Sequence, residues 1–128
     1  MKYYFAKTTD CTFDEAVQRT VESLQQEGFG VLTDIDIQAT LKKKLDVDFK
    51  KYRILGACHP SSAYKALQAE DKIGTMLPCN VIVQELAPGK VEIAAVNPTA
   101  SMMAIQNEQL AGIASEITQK LERVIDRL

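Results

Sequence analysis

The chain has 128 residues, of which 46% are hydrophobic and 25% charged, a composition typical of globular rather than disordered proteins. Its formal net charge of −2 excludes the global positive field that draws proteins to nucleic acid or anionic lipid. This length predicts a single domain over residues 1–128, because either half alone would be too small to bury a good core.

Neither the N-terminus nor any later segment is predicted to insert into a membrane. No apolar run approaches the roughly 20 residues of a membrane helix, and Lys7 follows Lys2 too closely for a signal peptide. We therefore expect a cytoplasmic protein. Cys11, Cys58 and Cys79 cannot all pair within one chain, and a reducing compartment argues against a disulfide framework.

The first half of the chain contains the clearest helix signal. Thr12 and Glu15 form a capping box, which satisfies orphan N–H groups at a helix start, and Gly28 ends the helix. The elements predicted here are a strand at residues 2–8, this helix, a strand from Phe29 to Ile35 and a short polar helix from about Asp36 to Leu45.

Proline and glycine residues divide the second half. Pro60 ends a strand because proline cannot donate to the ladder, and Ser61 or Ser62 is expected to cap the helix that follows. Pro88-Gly89 predicts a hairpin. The elements predicted here are a strand from Tyr52 to Cys58, a helix to about Glu70, strands at Asn80–Leu86 and Lys90–Val96, and helix from Pro98 onward.

The final helix carries a sustained apolar seam that is wide enough to lie across a sheet, with an excess that is available for a dimer. Its members, spaced three or four residues apart, are Leu110, Ile113, Ile117, Leu121, Val124 and Leu128. The order of elements and the hairpin predict an α+β fold, a curved antiparallel sheet backed by helices.

Two cysteine-containing segments are predicted to converge at one end of this sheet. If strand 52–58 pairs antiparallel with strand 80–86, then Cys58 ends one strand and Cys79 opens the next. The two thiols are then expected almost opposite each other. The helix that starts after Pro60 places an N-terminus beside them.

Strand alternation assigns a face to each side chain. Cys58 shares the face of Ile54, whereas Cys79 shares the face of Val81, and both faces are predicted to point toward the core. The same alternation turns His59 to the face opposite Cys58. Inert packing is the simplest interpretation, because free cysteine is among the most buried residue types.

Three chemical hypotheses remain for this region. It forms a thiol redox site, a pocket for a small molecule or small anion lined by backbone N–H groups, or a metal site with Cys58, His59 and Cys79 as ligands. The metal site is the weakest, because His59 points away. The candidate ligand-binding residues are Gly56, Cys58, His59, Ser61, Pro78 and Cys79.

Two of these candidates have structural interpretations of their own. Gly56 within a strand is also typical of a bulge or of a close backbone contact. The Leu77–Pro78 bond is expected to be trans, as most X–Pro bonds are.

Four blocks of the sequence resemble the family known as domain of unknown function 302 (DUF302). They are EGFGVL at residues 27–32, YRILGACHP at 52–60, IGTMLPCNV at 73–81 and VNP at 96–98. The resemblance covers nearly the whole chain, although the family pattern commonly has asparagine at the position of His59. It implies a β-α-β(4)-α core similar to the TATA-binding-protein-like fold, with extra short helices, and homodimers; it implies no activity or cofactor.

The leading hypothesis is a homodimeric cytosolic binding module with a small-molecule or thiol-sensitive pocket near Cys58 and Cys79. The alternatives are a thiol-based enzyme or redox protein, and a structural or interaction protein that holds no small ligand.

Overall fold

The computed structural model describes residues 1–128. Five strands and five helices alternate with one 3₁₀ segment between α3 and β4. In chain order they are β1 (Tyr4–Thr9), α1 (Phe13–Gln26), β2 (Gly30–Asp36), α2 (Ile37–Leu45), β3 (Tyr52–Cys58), α3 (Pro60–Ala69), the 3₁₀ segment (Asp71–Met76), β4 (Cys79–Ala87), β5 (Lys90–Val96), α4 (Pro98–Ser101) and α5 (Glu108–Asp126).

The five strands form one open antiparallel sheet in the order β1-β5-β4-β3-β2. Strands β1 to β5 with α1 and α5 make the predicted β-α-β(4)-α core, and α2, α3 and α4 are the extra short helices. The predicted α+β class, the pairing of β3 with β4 and the β4–β5 hairpin are all confirmed. No helix is both long enough and apolar enough to span a membrane.

Helices α1 and α5 cover one face of this sheet. The predicted capping box opens α1, where Oγ1 of Thr12 accepts a hydrogen bond from the Glu15 amide at 3.2 Å. The Ser23 hydroxyl of α1 donates to the Val124 carbonyl of α5 at 2.8 Å and ties the two helices together. Their apolar sides meet a main core of 16 buried residues.

The register of β3 and β4 decides which strand residues enter that core. Leu55 lies opposite Val81 and Ala57 opposite Cys79, and these four side chains are buried under α1 and α5. The prediction that the face of Cys58 points toward the core is therefore wrong. Cys58 shares its face with Ile54, whereas the core takes the odd-numbered residues of β3.

Two helix boundaries differ from the sequence predictions. Helix α3 begins at Pro60 and has His59 as its N-cap, so neither Ser61 nor Ser62 caps it. Proline suits this first position because its missing N–H has no partner in the helix anyway. The region after Pro98 is two helices rather than one, and Oδ1 of Asn107 accepts from the Gln109 amide to start α5.

The apolar seam of α5 is largely used within the chain. Leu110, Ile117, Leu121 and Val124 are buried, and α5 contacts α1, α3, α4 and the β1–β5 side of the sheet. The predicted crossing of the sheet is thus confirmed. Little of the seam remains for a partner.

Gly56 of β3 provides a test of how closely Thr33 and Pro78 pack against this strand. A Cβ added there would lie 2.7 Å from Cγ of Pro78 and closer still to Oγ1 of Thr33. We expect Gly56→Ala to lower the free energy of unfolding by about 1–3 kcal/mol, as overpacking does. Urea unfolding monitored by circular dichroism measures the change.

Gly30→Ala is the matched control. Gly30 lies in the neighbouring strand β2 and has no heavy atom within 4 Å of its Cβ position. We expect its free energy of unfolding to stay within about 0.5 kcal/mol of the parent chain. Equal effects of the two substitutions would contradict the packing described for Gly56.

Candidate functional site

The candidate site is an apolar cavity at the end of the sheet where β3 finishes and β4 begins. It has a volume of about 360 Å³, and 14 of its 19 lining residues are hydrophobic. The lining residues are Phe29, Leu32, Ala57, Cys58, His59, Ser62, Ala63, Ala66, Leu67, Gly74, Leu77, Pro78, Cys79, Pro98, Met102, Leu110, Ile113, Ala114 and Ile117.

The cavity lies between two separate apolar clusters. The main core supplies Phe29, Ala57 and Ile117 on one side. On the other side a satellite cluster forms around Ala66, Ile73 and Leu110, where α3 and the 3₁₀ segment meet α5. Because α3 packs on α5 rather than flat on the sheet, the two clusters leave a gap between them.

The lining carries few polar groups, and the thiol of Cys79 is one of them. Cys79 is 8% exposed, and its burial, together with the nearby Cys58, raises the pKa of this thiol to about 11. A thiol is nucleophilic as its thiolate. Cys79 is therefore protonated and inert near neutral pH.

Cys58 and Cys79 do not face each other as predicted. Ala57 is the cross-strand partner of Cys79, while Cys58 lies opposite Gly30 of β2. Cys58 is nevertheless half-buried at the end of β3, where it lines the same cavity. All three cysteines are free, and the two lining thiols approach the cavity from different faces of the sheet.

His59 lies over the main core, on the opposite side of β3 from Cys58. Its ring meets the Phe29 ring edge to face, with 5.3 Å between centroids. A Cβ on Gly28 would lie 3.0 Å from Nε2 of His59, so the glycine leaves room for the ring. Burial lowers the pKa of His59, as do Lys120 and Lys65, against an opposing effect of Glu116. The neutral imidazole is therefore favoured at neutral pH.

Ser62 is a further polar residue in the lining. It is the third residue of α3 and is only 5% exposed. Its hydroxyl takes part in none of the side-chain hydrogen bonds of the chain, and no fully enclosed side-chain oxygen lacks a partner. The hydroxyl must therefore reach open space, and the space beside it is the cavity.

Four of the six predicted ligand-binding residues line the cavity, namely Cys58, His59, Pro78 and Cys79. Gly56 does not, because it lies on the other sheet face beneath Thr33 and Pro78. Ser61 also lies outside the lining; it is exposed, with its hydroxyl 3.5 Å from Nδ1 of His59.

One further expectation is wrong. The Leu77–Pro78 bond is cis, not trans. The weakest hypothesis, a metal site of Cys58, His59 and Cys79, gains no support, because no group of three His, Cys, Asp or Glu side chains is arranged to hold a metal ion.

Sequence reasoning missed the lining contributed by α3 and α5. Ala63, Ala66 and Leu67 repeat at helical spacing and form the side of α3 that faces the cavity. Ala114, a small residue within the seam of α5, leaves room opposite them. These signals were present in the sequence, but they point to a cavity only once α3 is known to cross α5.

The thiols give a direct test of this site. Alkylation of the native chain with iodoacetamide near neutral pH should modify Cys58 and leave Cys79 unmodified. With a pKa of about 11, fewer than roughly one Cys79 thiol in a thousand is ionised there. Peptide mass spectrometry locates the label, and labelling in denaturing urea shows that Cys79 reacts once exposed. Rapid native labelling of Cys79 would contradict its burial.

Comparison with known proteins agrees with this architecture. The sequence model described as "Domain of unknown function DUF302" matches residues 5–128. The crystal structure of an uncharacterized conserved DUF302 protein from Bacillus stearothermophilus is similar, with 30% sequence identity and a TM-score of 0.90 over 99% of this chain and 98% of that chain. No curated protein matches the chain. Since the family match spans nearly every element from β1 to α5, the chain belongs to the DUF302 family.

Proposed function

We propose that this chain is a cytosolic binding module that holds a small, mainly apolar molecule in the cavity between α3, α5 and the end of the sheet. The observation that carries the proposal is the cavity itself, about 360 Å³ of space with 14 hydrophobic lining residues. Ligand sites in proteins are typically apolar concavities of about 300–1,000 Å³ with a few polar groups. The free state of all three cysteines supports the cytosolic part.

The entrance of the cavity supports the same conclusion. Leu32 is 68% exposed and Leu67 is 42% exposed, and both line the cavity. These exposed leucines contribute little to the packing of the core, but they extend the apolar surface of the cavity out to solvent. A ligand that enters between them removes this surface from water, which favours binding by about 25 cal/mol per Å² of apolar area.

A thiol-based enzyme or redox protein is the less supported alternative. Cys79 is protonated near neutral pH, so a thiol mechanism would have to rely on Cys58. The two cysteines are not cross-strand partners, which removes the paired-thiol geometry that motivated the redox hypothesis. Binding requires no activated group and agrees with the mostly apolar lining.

A cavity-filling substitution tests the proposal. Ala63 is half-buried on α3 and lines the cavity. We expect the parent chain to bind an uncharged naphthylamine dye with a rise in dye fluorescence. We expect Ala63→Phe to weaken this binding at least about tenfold, because the larger ring occupies the ligand's space.

Ala111→Phe is the matched control. It makes the same change at an exposed position of α5 outside the cavity lining, so dye binding should remain unchanged. If the parent chain fails to bind the dye, or if both substitutions reduce binding equally, the cavity is not the binding site.

We further propose that the chain forms a homodimer through the sheet face that α1 and α5 leave uncovered. Cross-strand partners on this face form one continuous apolar row over all five strands, consisting of Ala6, Ala94, Ile82, Ile54 and Ile35. Helix α2, which follows β2, has no buried residue. A two-fold axis over the row would place this surface of one chain on the same surface of the other, the usual arrangement in dimers.

Light scattering after size exclusion tests the dimer. We expect the parent chain to run as a dimer at micromolar concentration. Ile82→Lys, which puts a charge at the centre of the apolar row, should give a monomer. Met103→Lys is the control, because Met103 is an exposed apolar residue away from the sheet, and it should leave the dimer intact. A monomeric parent chain would overturn the proposal.

A further inference from the structure

We infer that the molecule held in this cavity carries a carboxylate at one end of its apolar body, and that this carboxylate lies at the N-terminus of α3. The inference rests on the proposed binding function and specifies the chemistry of the ligand. Three features of the cavity wall near Ser62 lead to it.

The first feature is the open N-terminus of α3. The first N–H groups of a helix have no partner within the helix and attract negative charge. His59 stands at the N-cap of this ten-residue helix, and its side chain accepts no capping hydrogen bond. Pro60 has no N–H, so the donors at this end are the amides of Ser61 and Ser62.

The second feature, independent of the helix end, is the Ser62 hydroxyl. Ser62 is 95% buried, lines the cavity and has no hydrogen-bond partner in the chain. The hydroxyl oxygen itself is not fully enclosed and reaches the cavity, so a ligand that fills the cavity would bury it. Burying a hydroxyl without a partner is costly, so such a ligand is expected to supply a hydrogen-bond partner. A ligand oxygen in the cavity would accept this hydrogen bond together with one from the helix amides.

The third feature is the set of charges around His59, the neighbouring lining residue. Lys65 on α3 and Lys120 on α5 lie close enough to lower the pKa of His59, and Glu116 on α5 is the one acidic group that acts on it in the opposite direction. The charged side chains that act on His59 thus include two cations and one anion, whereas the cavity lining itself is mainly apolar.

The chemistry that satisfies all three features is an amphipathic carboxylic acid. Its carboxylate would accept hydrogen bonds from Ser62 and the α3 amides, and its hydrocarbon portion would lie between the main core and the satellite cluster. A purely apolar ligand would leave the Ser62 hydroxyl unsatisfied. A fully polar anion would leave the apolar lining exposed to water.

Octanoate and octanol share one hydrocarbon chain and differ in the head group, so comparing them tests whether the site prefers a carboxylate. Displacement of the uncharged naphthylamine dye measures both affinities at neutral pH. We expect octanoate to bind at least about tenfold more tightly than octanol, since hydrogen bonds to a charged group are the stronger ones. Ser62→Ala should remove most of this preference, whereas Ser61→Ala, at the exposed neighbouring position, should leave it intact.

The possible results are distinguishable. If octanol displaces the dye as well as octanoate does, the carboxylate inference fails while the binding function stands. The same conclusion follows if Ser62→Ala leaves the preference for octanoate intact. If neither the dye nor either octyl compound binds the parent chain, the proposed function itself fails. An unchanged circular dichroism spectrum and urea unfolding midpoint show that Ser62→Ala is folded.

Discussion

The antiparallel register of β3 on β4 determines where each side chain of the candidate site lies. Burial of Leu55 against Val81 commits the odd-numbered residues of both strands to the helix-covered face. A shift of one residue would reverse every side chain, so a buried face specifies the register strongly. Cys79 enters the core as a consequence, and Cys58 is turned to the other face.

The same register explains why the site is a cavity rather than a thiol pair. The chain leaves the sheet at Cys58 and returns at Cys79, and the intervening α3 and 3₁₀ segment form a satellite cluster on α5. The apolar side chains of α3 are therefore buried partly against α5 rather than against the sheet. The gap that remains leaves apolar surface without close contacts, and a ligand that fills it would stabilise the folded chain by mass action.

The ionisation states of the lining agree with binding rather than with covalent chemistry. Burial keeps the Cys79 thiol protonated and favours the neutral form of His59. Neutral groups tolerate an apolar surrounding, whereas an unpaired charge would be expensive there. The uncapped N-terminus of α3 carries the partial positive charge of a helix end beside this otherwise apolar site.

Local interactions explain what the sequence by itself determined. The capping box of Thr12 and Glu15 and the Pro88-Gly89 hairpin involve residues only a few positions apart, so most elements and their order followed from pattern alone. The 3₁₀ segment and the division of the last helical region into α4 and α5 did not. Four residues that line the cavity were also predicted from the sequence, because they lie on either side of the stretch that leaves the sheet between β3 and β4. Only the tertiary structure decided that Ala57 rather than Cys58 faces Cys79, that Ser62 lines the cavity, and that α3 crosses α5. These outcomes depend on contacts between distant segments, where an offset of one residue in register exchanges the two faces of a strand.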